Sequence, residues 1–428
     1  MPKVCCAPDA RVRSKYVRRM SPAPVARHGR LARPRPVLSA LKILVVVVTV
    51  CAVSLVSIGA LAVNQLRENI DTVALPGQED VVAPPPGVGA FEGGFNVLFV
   101  GSDECDVAGG CPDREGKLND FTMLLHVAAD HQRAVAVSFP RDLLVPIPAC
   151  PRADGSGNYP TMSSRQINTT LGYGGLPCTV LTVSALTGLD IPYAGIMTFN
   201  GVREISTAIG GVTVCIDGPI NDRYTGLQLP TAGEWTLEGE QALDFLRTRH
   251  GVGDGSDIGR IGSQQMFLSS MLRKIKSEST LTDPARVFQL ATAATSNMKV
   301  SESLAQPTTL VSMALVFKDL PLENVTFVQY PAGTSSTEAG RVVPIKARAA
   351  ELFAKIAADQ PIGLEGISGV GTVADPTAIA PVAPPVAPTP DPAATGTPVP
   401  PVAEVPVETI QGLTGQTAAD RTCSKANN

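Results

Sequence analysis

Apolar runs recur between residues 91 and 359, and short charged segments separate them. Stretches at 179–189, 258–277 and 347–358 place apolar residues at helical spacing. Five other runs have the length and nearly uninterrupted apolar character of strands buried on both faces: 95–101, 121–127, 134–139, 212–216 and 325–329. This region is therefore predicted to be a folded domain that contains both strands and helices.

A separate apolar segment lies near the N-terminus. Residues 43–63 are twenty-one positions without a charge, long enough to cross a bilayer core of about 30 Å and longer than the apolar core of a signal peptide. We predict one uncleaved transmembrane helix. Residues 1–42 hold eleven Lys and Arg against Asp9 alone. The positive-inside rule therefore predicts that this basic tail is cytoplasmic and that the chain after about residue 64 is extracytoplasmic.

The basic tail could also bind nucleic acid, since it is rich in arginine and proline. Beside a membrane span, such a tail is more typical of topology and of binding to anionic lipid. We therefore expect a single-pass cell-membrane protein with no nucleic acid partner.

Two segments lack the apolar content of a folded domain. Residues 64–90 end near three consecutive prolines and are predicted as a linker. Residues 360–412 are rich in Pro and Ala and are predicted as a disordered, wall-spanning linker. Residues 413–428 are predicted to be a short polar C-terminal tail that contains Cys423. The folded domain is therefore predicted to span 91–359.

Cysteine usage agrees with an extracytoplasmic domain. Six cysteines follow the apolar segment: Cys105, Cys111, Cys150, Cys178, Cys215 and Cys423. An even number in an oxidising compartment favours disulfides. Cys105 with Cys111 would close a short loop, and Cys150 with Cys178 a longer one. Cys215 and Cys423 would then pair by elimination, although spacing leaves the connectivity open. No zinc-type spacing of Cys and His occurs.

Charged side chains follow or begin three of the predicted strands. Asp103 comes just after the first strand, Asp120 directly precedes the second, and Arg141 with Asp142 follows the third. Ligands bind outside strand ends in open α/β sheets, and paired carboxylates suit a hard cation such as Mg²⁺. The alternative is that each carboxylate is a turn or cap residue, which becomes less favoured as charges recur at successive strand ends.

The densest charged segment is 247–265, where arginines are interspersed with glycines. If extended, the chain would project Arg247 and Arg249 from one face. The Gly/Asp/Ser run that follows reads as a loop with free backbone N–H groups. Arg260 and Gln264 are then i,i+4 neighbours at the start of a helix, where the dipole favours anions. This combination predicts a phosphate or pyrophosphate site.

A surface arginine cluster paired with Asp254 and Asp257 is the alternative for the same segment. Its five glycines are harder to explain without a ligand. We therefore favour the anion site.

The order of these motifs resembles the LytR-CpsA-Psr (LCP) family of cell wall glycopolymer–peptidoglycan phosphotransferases. The similarity covers about 91–359 and the anchor before it. It rests on these ordered motifs: Gly-Ser-Asp103, Asp120, Pro-Arg141-Asp142, Asn168 before Tyr-Gly-Gly175, Gly210-Gly-Val, Gly239-x-Gln-Ala-Leu243, Arg247-x-Arg249, Asp257-x-x-Arg260 and Gln264-Gln265. The resemblance implies an α/β/α sandwich with a central mixed sheet and a deep cleft for a polyprenyl (pyro)phosphate lipid.

The resemblance also implies an activity and its partners. A glycopolymer would move from a polyprenyl-pyrophosphate carrier to a peptidoglycan sugar hydroxyl. Asp103 and Asp120 would hold Mg²⁺, with Mn²⁺ as an alternative. The pyrophosphate would be bound by these residues: Arg141, Arg247, Arg249, Arg260 and Gln264. For the general base, Asp257 is our first candidate because it lies within the arginine segment, and Asp142 is the second.

Three positions depart from the pattern of the family. Leu118 and Ser263 stand where the family often has arginine, and Gln166 stands where it often has lysine. These departures reduce the positive charge of the expected site, although four matched arginines remain. Two other functions stay open: a polyprenyl-pyrophosphate hydrolase, and a non-catalytic protein that binds the lipid carrier or anchors to the wall.

Overall fold

The computed structural model describes residues 41–42, 44–50, 53–54, 57, 70–76, 91–103, 117–277, 283–366, 369–376 and 407–427. They belong to two compact units, Met1–Gly59 and Ala60–Asn428. In the first unit, the described residues are helical. No helix within these described ranges has both the length and the apolar character needed to cross a membrane.

Several predicted features lie wholly or partly outside the described residues. The basic tail, Cys105, Cys111 and most of the Pro-rich linker belong to this group, and so does much of the segment 43–63. The transmembrane helix and the Cys105–Cys111 pair therefore stay predictions.

The second unit contains both strands and helices, and several strands follow one another before the first helix. The strands are β1 (Asp71–Val73), β2 (Phe95–Ser102), β3 (Asn119–Val127), β4 (Ala134–Ser138), β5 (Leu144–Ile147), β6 (Cys150–Pro151), β7 (Asn158–Tyr159), β8 (Met162–Gln166), β9 (Tyr193–Met197), β10 (Val212–Ile216), β11 (Ile220–Asp222), β12 (Leu227–Leu229), β13 (Gly233–Leu237), β14 (Met298–Ser301), β15 (Val325–Gln329), β16 (Ala332–Thr334), β17 (Val342–Pro344), β18 (Thr372–Ala374), β19 (Gly415–Thr417) and β20 (Thr422–Ser424). The helices are α1 (Thr170–Thr187), α2 (Phe199–Ala208), α3 (Glu240–Arg247), α4 (Asp257–Lys276), α5 (Pro284–Asn297), α6 (Pro307–Asp319) and α7 (Lys346–Ala357).

A mixed sheet forms the centre of this unit, with strand order β1-β14-β9-β2-β3-β4-β15-β19. Strand β2 runs parallel to β9 and antiparallel to β3. Successive β2 residues point to opposite faces, so Leu98 joins one apolar cluster and Val97 joins the other. Helices α1 and α7 contribute to the first cluster, whereas α6 contributes to the second. The predicted α/β fold with a mixed central sheet is confirmed.

A smaller sheet, ordered β13-β10-β20-β18, contains the C-terminal segment. Strand β20 lies parallel beside β10, and β19 pairs with β15 at the edge of the central sheet. The folded domain therefore does not end at residue 359, and 413–428 is not a separate tail. Single apolar residues of this segment, Leu413 and Ala418, are buried in the two apolar clusters, and the other contacts include polar ones such as the hydrogen bond from Gln416 Nε2 to Ser269 Oγ at 2.8 Å. A search for apolar periodicity misses such a segment.

A second correction concerns the predicted linker at 64–90. Its residues 71–73 form β1, which pairs in parallel with β14. This strand has three residues and its first two side chains are exposed, so it carries no apolar pattern. Backbone pairing alone reveals it.

Two disulfides cross-link the fold in the expected pairs. Cys150 of β6 is joined to Cys178 of α1, so this bridge links the β6–β7 hairpin to the helix. Cys215 is joined to Cys423 across the β10–β20 pair, over a sequence separation of 208 residues. The second bridge therefore ties the C-terminal segment to the smaller sheet.

Replacing Cys215 and Cys423 together by serine should lower the free energy of unfolding by about 2–5 kcal/mol, because the unfolded chain regains a long open loop. Urea denaturation followed by circular dichroism measures the loss. Reduction of the wild-type protein with dithiothreitol should cost at least as much, because it also opens the Cys150–Cys178 bridge. An unchanged denaturation midpoint in the double variant would contradict this role of the bridge.

Candidate active site

The sheet brings Asp120 and Arg141 to one edge. Asp120 begins β3 and Arg141 follows β4, and these two strands are antiparallel neighbours, so the start of one lies beside the end of the other. Arg141 Nη1 lies 2.5 Å from Asp120 Oδ1. Burial opposes protonation of Arg141, but the carboxylates of Asp120, Asp257 and Asp142 raise its pKa above the ordinary value.

Helix α4 begins against the same edge. Ser256 caps the helix by accepting a hydrogen bond from the Gly259 N–H at 3.2 Å. Asp257 Oδ2 accepts the backbone N–H of Arg141 at 2.9 Å, and its Oδ1 lies 2.5 Å from Arg260 Nη2. The first turn of α4 is thereby attached to the loop after β4.

Arg260 is the most deeply buried arginine at this edge, with 3% of its surface exposed. Its Nη2 also donates to the backbone oxygen of Asp120 at 3.0 Å. Burial lowers the pKa of Arg260, although a guanidinium stays protonated at neutral pH. Asp257 supplies the carboxylate that such a buried charge requires.

Asp142 is a second buried carboxylate, 6% exposed, and four side chains surround it, one amide and three guanidiniums. Its Oδ1 accepts from Gln166 Nε2 at 2.7 Å and lies 2.5 Å from Arg341 Nη1. Its Oδ2 lies 3.7 Å from Arg141 Nε and 3.8 Å from Arg249 Nη2. Gln166, the departure from lysine, thus supplies an uncharged donor, and Arg341 supplies a positive charge at the same carboxylate.

These residues form a connected group that we call the arginine–aspartate cluster. Its members are Arg141, Arg249, Arg260, Arg341, Asp120, Asp142 and Asp257. Four guanidiniums face three carboxylates, so the cluster carries a formal excess of one positive charge. The buried Nε atoms of Arg141, Arg249 and Arg260 have no hydrogen-bond partner among the described residues. Excess positive charge and unsatisfied donors favour an anion.

Asp222 holds Arg249 in position. This aspartate ends β11 and is 1% exposed. Its Oδ2 accepts from Thr248 Oγ1 at 2.5 Å and from the Arg249 N–H at 3.2 Å. Burial tends to raise the pKa of Asp222, but these hydrogen bonds outweigh burial and lower it. Neither Asp222 nor Arg341 belongs to a sequence motif, so sequence reasoning missed both.

Two residues predicted for the anion site lie elsewhere. Arg247 is not extended but ends α3, and its guanidinium carbon lies 4.6 Å from the centroid of the Phe199 ring. In the part of the chain that is described, no ion pair joins Arg247 to a carboxylate of the cluster. The amide of Gln264 donates to the Leu246 carbonyl at 2.9 Å and so satisfies the end of α3.

Asp103 and Asp120 come from neighbouring strands. Ser102 is in register with Asn119, so each aspartate is one residue from this pair. Asp103 Oδ1 accepts the Leu118 N–H at 2.8 Å. Leu118, the departure from arginine, therefore contributes through its backbone. Two carboxylates on adjacent strands provide hard oxygen donors, which fit Mg²⁺ or Mn²⁺.

An apolar cavity of about 950 Å³ lies beside the cluster. Its walls come from β5, β17, the end of α1 and one face of α7, including Leu144, Leu189, Val343 and Phe353. Leu144 is two residues after Asp142, and Val343 is two residues after Arg341. The two segments adjoin each other, since the Val342 N–H donates to the Asp142 carbonyl at 3.4 Å, so the apolar wall continues directly from the cluster. The site therefore suits an amphiphile with an anionic head.

The family model described as LytR_cpsA_psr matches residues 63–356. The chain belongs to this family. The resemblance found in the sequence is thereby confirmed.

Among curated relatives, the cell wall biosynthesis protein LcpA of Corynebacterium glutamicum is 28% identical over 56% of this chain and 51% of LcpA. The polyisoprenyl-teichoic acid–peptidoglycan teichoic acid transferase TagT of Bacillus subtilis is 27% identical over 56% of this chain and 70% of TagT. The chain thus spans about half the length of LcpA. The crystal structure of protein gbs0355 from Streptococcus agalactiae, 21% identical, aligns with a TM-score of 0.51 over 63% of this chain and 88% of that one. This last similarity shows the shared fold.

Replacing Asp257 by alanine should lower the free energy of unfolding by about 3–5 kcal/mol, because Arg260 would be left buried without its carboxylate. Urea denaturation measures the loss. The matched control is Asp130→Ala, whose ion pair with Arg133 is exposed and should contribute under about 1 kcal/mol. The double variant Asp257→Ala/Arg260→Met should recover part of the loss. Equal losses for Asp257→Ala and Asp130→Ala would contradict the assignment.

Proposed function

We propose that this protein is an extracytoplasmic phosphotransferase that moves a glycopolymer from a polyprenyl-pyrophosphate carrier to a sugar hydroxyl of peptidoglycan. The observation that supports this most is the position of the 950 Å³ apolar cavity beside the arginine–aspartate cluster. Its volume is within the range of about 300–1,000 Å³ usual for ligand sites. A water-soluble phosphate compound without a lipid chain would not fill the apolar part of this cavity.

Each part of the carrier has a matching part of the site. The prenyl chain would lie in the cavity between α1 and α7, where it buries apolar surface. The pyrophosphate would contact Arg141, Arg249 and Arg260, whose forked donors suit phosphate oxygens. The relative TagT is named as a polyisoprenyl-teichoic acid–peptidoglycan teichoic acid transferase, which supports the same pair of substrates here.

The reaction breaks the phosphoanhydride bond of the carrier and forms a phosphoester bond to the acceptor. The acceptor oxygen bonds to the phosphorus that carries the glycopolymer, and the bond from that phosphorus to the lipid phosphate oxygen breaks. Polyprenyl monophosphate leaves with the electron pair. Phosphoryl transfer depends mainly on positioning and charge stabilisation, and Arg141, Arg249 and Arg260 would stabilise the charge that develops on the phosphate oxygens. Asp103 and Asp120 would hold Mg²⁺, which neutralises pyrophosphate charge when bound.

The acceptor hydroxyl must also lose its proton. Asp257 was the first candidate base, but its Oδ2 accepts the Arg141 N–H and its Oδ1 lies 2.5 Å from Arg260. Asp142 Oδ2 has longer ion-pair contacts, since Arg141 Nε and Arg249 Nη2 lie 3.7 and 3.8 Å away. We therefore propose that Asp142 Oδ2 accepts the proton of the acceptor hydroxyl and that Asp257 acts as a positioning residue.

Two features support the proposed extracytoplasmic location of the catalytic domain: the first 63 residues of the sequence and the disulfides. The uncharged segment 43–63 would anchor the protein in the cell membrane, with its basic tail in the cytoplasm. The Cys150–Cys178 and Cys215–Cys423 bridges are typical of an oxidising compartment and support an external catalytic domain.

Arg249→Ala should lower the rate of transfer by about 10²–10³-fold, because one charge contact in the transition state is lost. The assay uses a lipid-linked oligosaccharide donor and peptidoglycan, with the new phosphodiester detected by mass spectrometry. Arg286→Ala, which removes an exposed arginine on α5, should keep the wild-type rate. Nearly full transfer by Arg249→Ala would refute the role of this arginine. A glycopolymer phosphomonoester in place of the phosphodiester would identify a hydrolase, because water would then attack the same phosphorus.

Ala354→Trp should raise the KM for a long-chain donor about tenfold, because the indole fills part of the prenyl cavity. Ala354 lines the cavity from α7. The matched control is Ala347→Trp, at an exposed position of the same helix that is not in the cavity wall. Steady-state kinetics with long-chain and short-chain donors measure both effects. Equal KM values for the two variants with the long-chain donor would show that the lipid binds elsewhere.

A further inference from the structure

An exposed aromatic residue lies at the tip of the β11–β12 hairpin. Tyr224 is 64% exposed, the highest exposure of an aromatic side chain in the described part of the chain. Its ring centroid lies 4.4 Å from that of the His250 imidazole. Arg223 donates to the Tyr224 hydroxyl at 2.9 Å. The ring is therefore held by defined contacts while most of its surface faces solvent, so the hydrophobic core does not account for its position.

The hairpin connects Tyr224 rigidly to Arg249. Asp222 Oδ1 accepts the Tyr224 N–H at 2.9 Å, while its Oδ2 accepts from Thr248 and from the Arg249 N–H. A single buried carboxylate thus fixes both the exposed ring and an arginine of the cluster. Gly251 allows the loop to approach this closely, because an added Cβ would lie 2.7 Å from Ile220 Cγ2.

The C-terminal segment fixes His250 from the other side. Asn427 Nδ2 donates to the His250 carbonyl at 3.1 Å, and the Asn427 N–H donates to the Gly251 carbonyl at the same distance. Lys425 accepts the Gly253 N–H at 2.8 Å. The imidazole and the phenol ring therefore present a preorganised surface, which lowers the entropy lost when a ligand binds.

We propose that Tyr224, His250 and Arg223 form a subsite for a pyranose ring, and that its occupant is the acceptor sugar of peptidoglycan. The identity of this occupant rests on the proposed transferase function. An aromatic ring packs against the C–H face of a pyranose, and its edge groups hydrogen-bond with the hydroxyls. The guanidinium of Arg223 donates, and the imidazole of His250 can donate or accept.

The position of this subsite favours the acceptor over the donor. A chain of contacts joins the two places: Arg341 and Arg249 both face Asp142, Arg341 precedes the cavity wall by two residues, and Arg249 precedes His250, which packs on Tyr224. The cavity and Tyr224 thus meet the cluster through different arginines. The leaving lipid phosphate stays with the prenyl chain in the cavity. Because attacking and leaving oxygens lie roughly in line in phosphoryl transfer, the acceptor does not enter through the cavity, and Tyr224 offers a sugar-binding surface outside it.

The test varies donor and acceptor separately in the full-length, disulfide-bonded protein. Tyr224→Ala should raise the KM for a soluble peptidoglycan tetrasaccharide about tenfold and leave the KM for a short-chain polyprenyl-pyrophosphate disaccharide unchanged. Tyr224→Trp retains an aromatic face and should keep the wild-type acceptor KM. Phe288→Ala, at an exposed aromatic on α5, is the matched control and should change neither value. Thermal melting confirms that each variant is folded.

A direct binding measurement separates this inference from the proposed reaction. Calorimetric titration of the tetrasaccharide into wild-type protein without donor should show binding that Tyr224→Ala weakens about tenfold. If this binding difference is seen but no transfer occurs, the proposed function fails while the sugar subsite stands. If transfer occurs and Tyr224→Ala has the wild-type acceptor KM, the subsite is refuted. A change in the donor KM alone would also refute it, because the pyranose bound there would belong to the glycopolymer.

Discussion

The carboxylate of Asp257 holds the two halves of the site together. One oxygen accepts the backbone N–H of Arg141 at 2.9 Å, and the other lies 2.5 Å from the guanidinium of Arg260. The loop after β4 and the first turn of α4 are therefore fixed to each other. Arg260 can stay almost fully buried because this carboxylate compensates its charge. The other contacts of the cluster depend on Asp257, because it fixes the loop from which Arg141 reaches both Asp120 and Asp142.

The C-terminal segment is the second constraint on α4. Ser263 is fully buried and shares a 2.7 Å hydrogen bond with Ser424 of β20. Arginine, which the family often has at this position, would have to displace that strand. Nearby, a Cβ added to Gly262 would lie 3.2 Å from Gly371 Cα, so this face of the helix is packed against backbone. The departure at Ser263 is thus explained by packing of the C-terminal segment and does not imply a weakened catalytic site.

The sequence identified much of the fold because the central strands are buried on both faces and therefore read as apolar runs. It also identified Asp120, Arg141 and Arg260, since charged residues at strand ends and helix starts follow local rules. Arg341 and Asp222 could not be predicted, because each meets its partner only in the folded chain. Arg341 pairs with Asp142, and Asp222 binds the backbone of Arg249. The contact of Gln264 with the Leu246 carbonyl at the end of α3 could not be predicted, because helical spacing gives only the face on which a side chain lies.

We propose that one amphiphile occupies the cavity and the arginine–aspartate cluster together. The decisive measurement is a crystal structure of the disulfide-bonded protein soaked with a short-chain polyprenyl pyrophosphate. Phosphate oxygens should lie within hydrogen-bond distance of Arg141, Arg249 and Arg260, and prenyl density should run along Leu144, Val343 and Phe353. Prenyl density outside this cavity, or a pyrophosphate bound away from these three arginines, would contradict it.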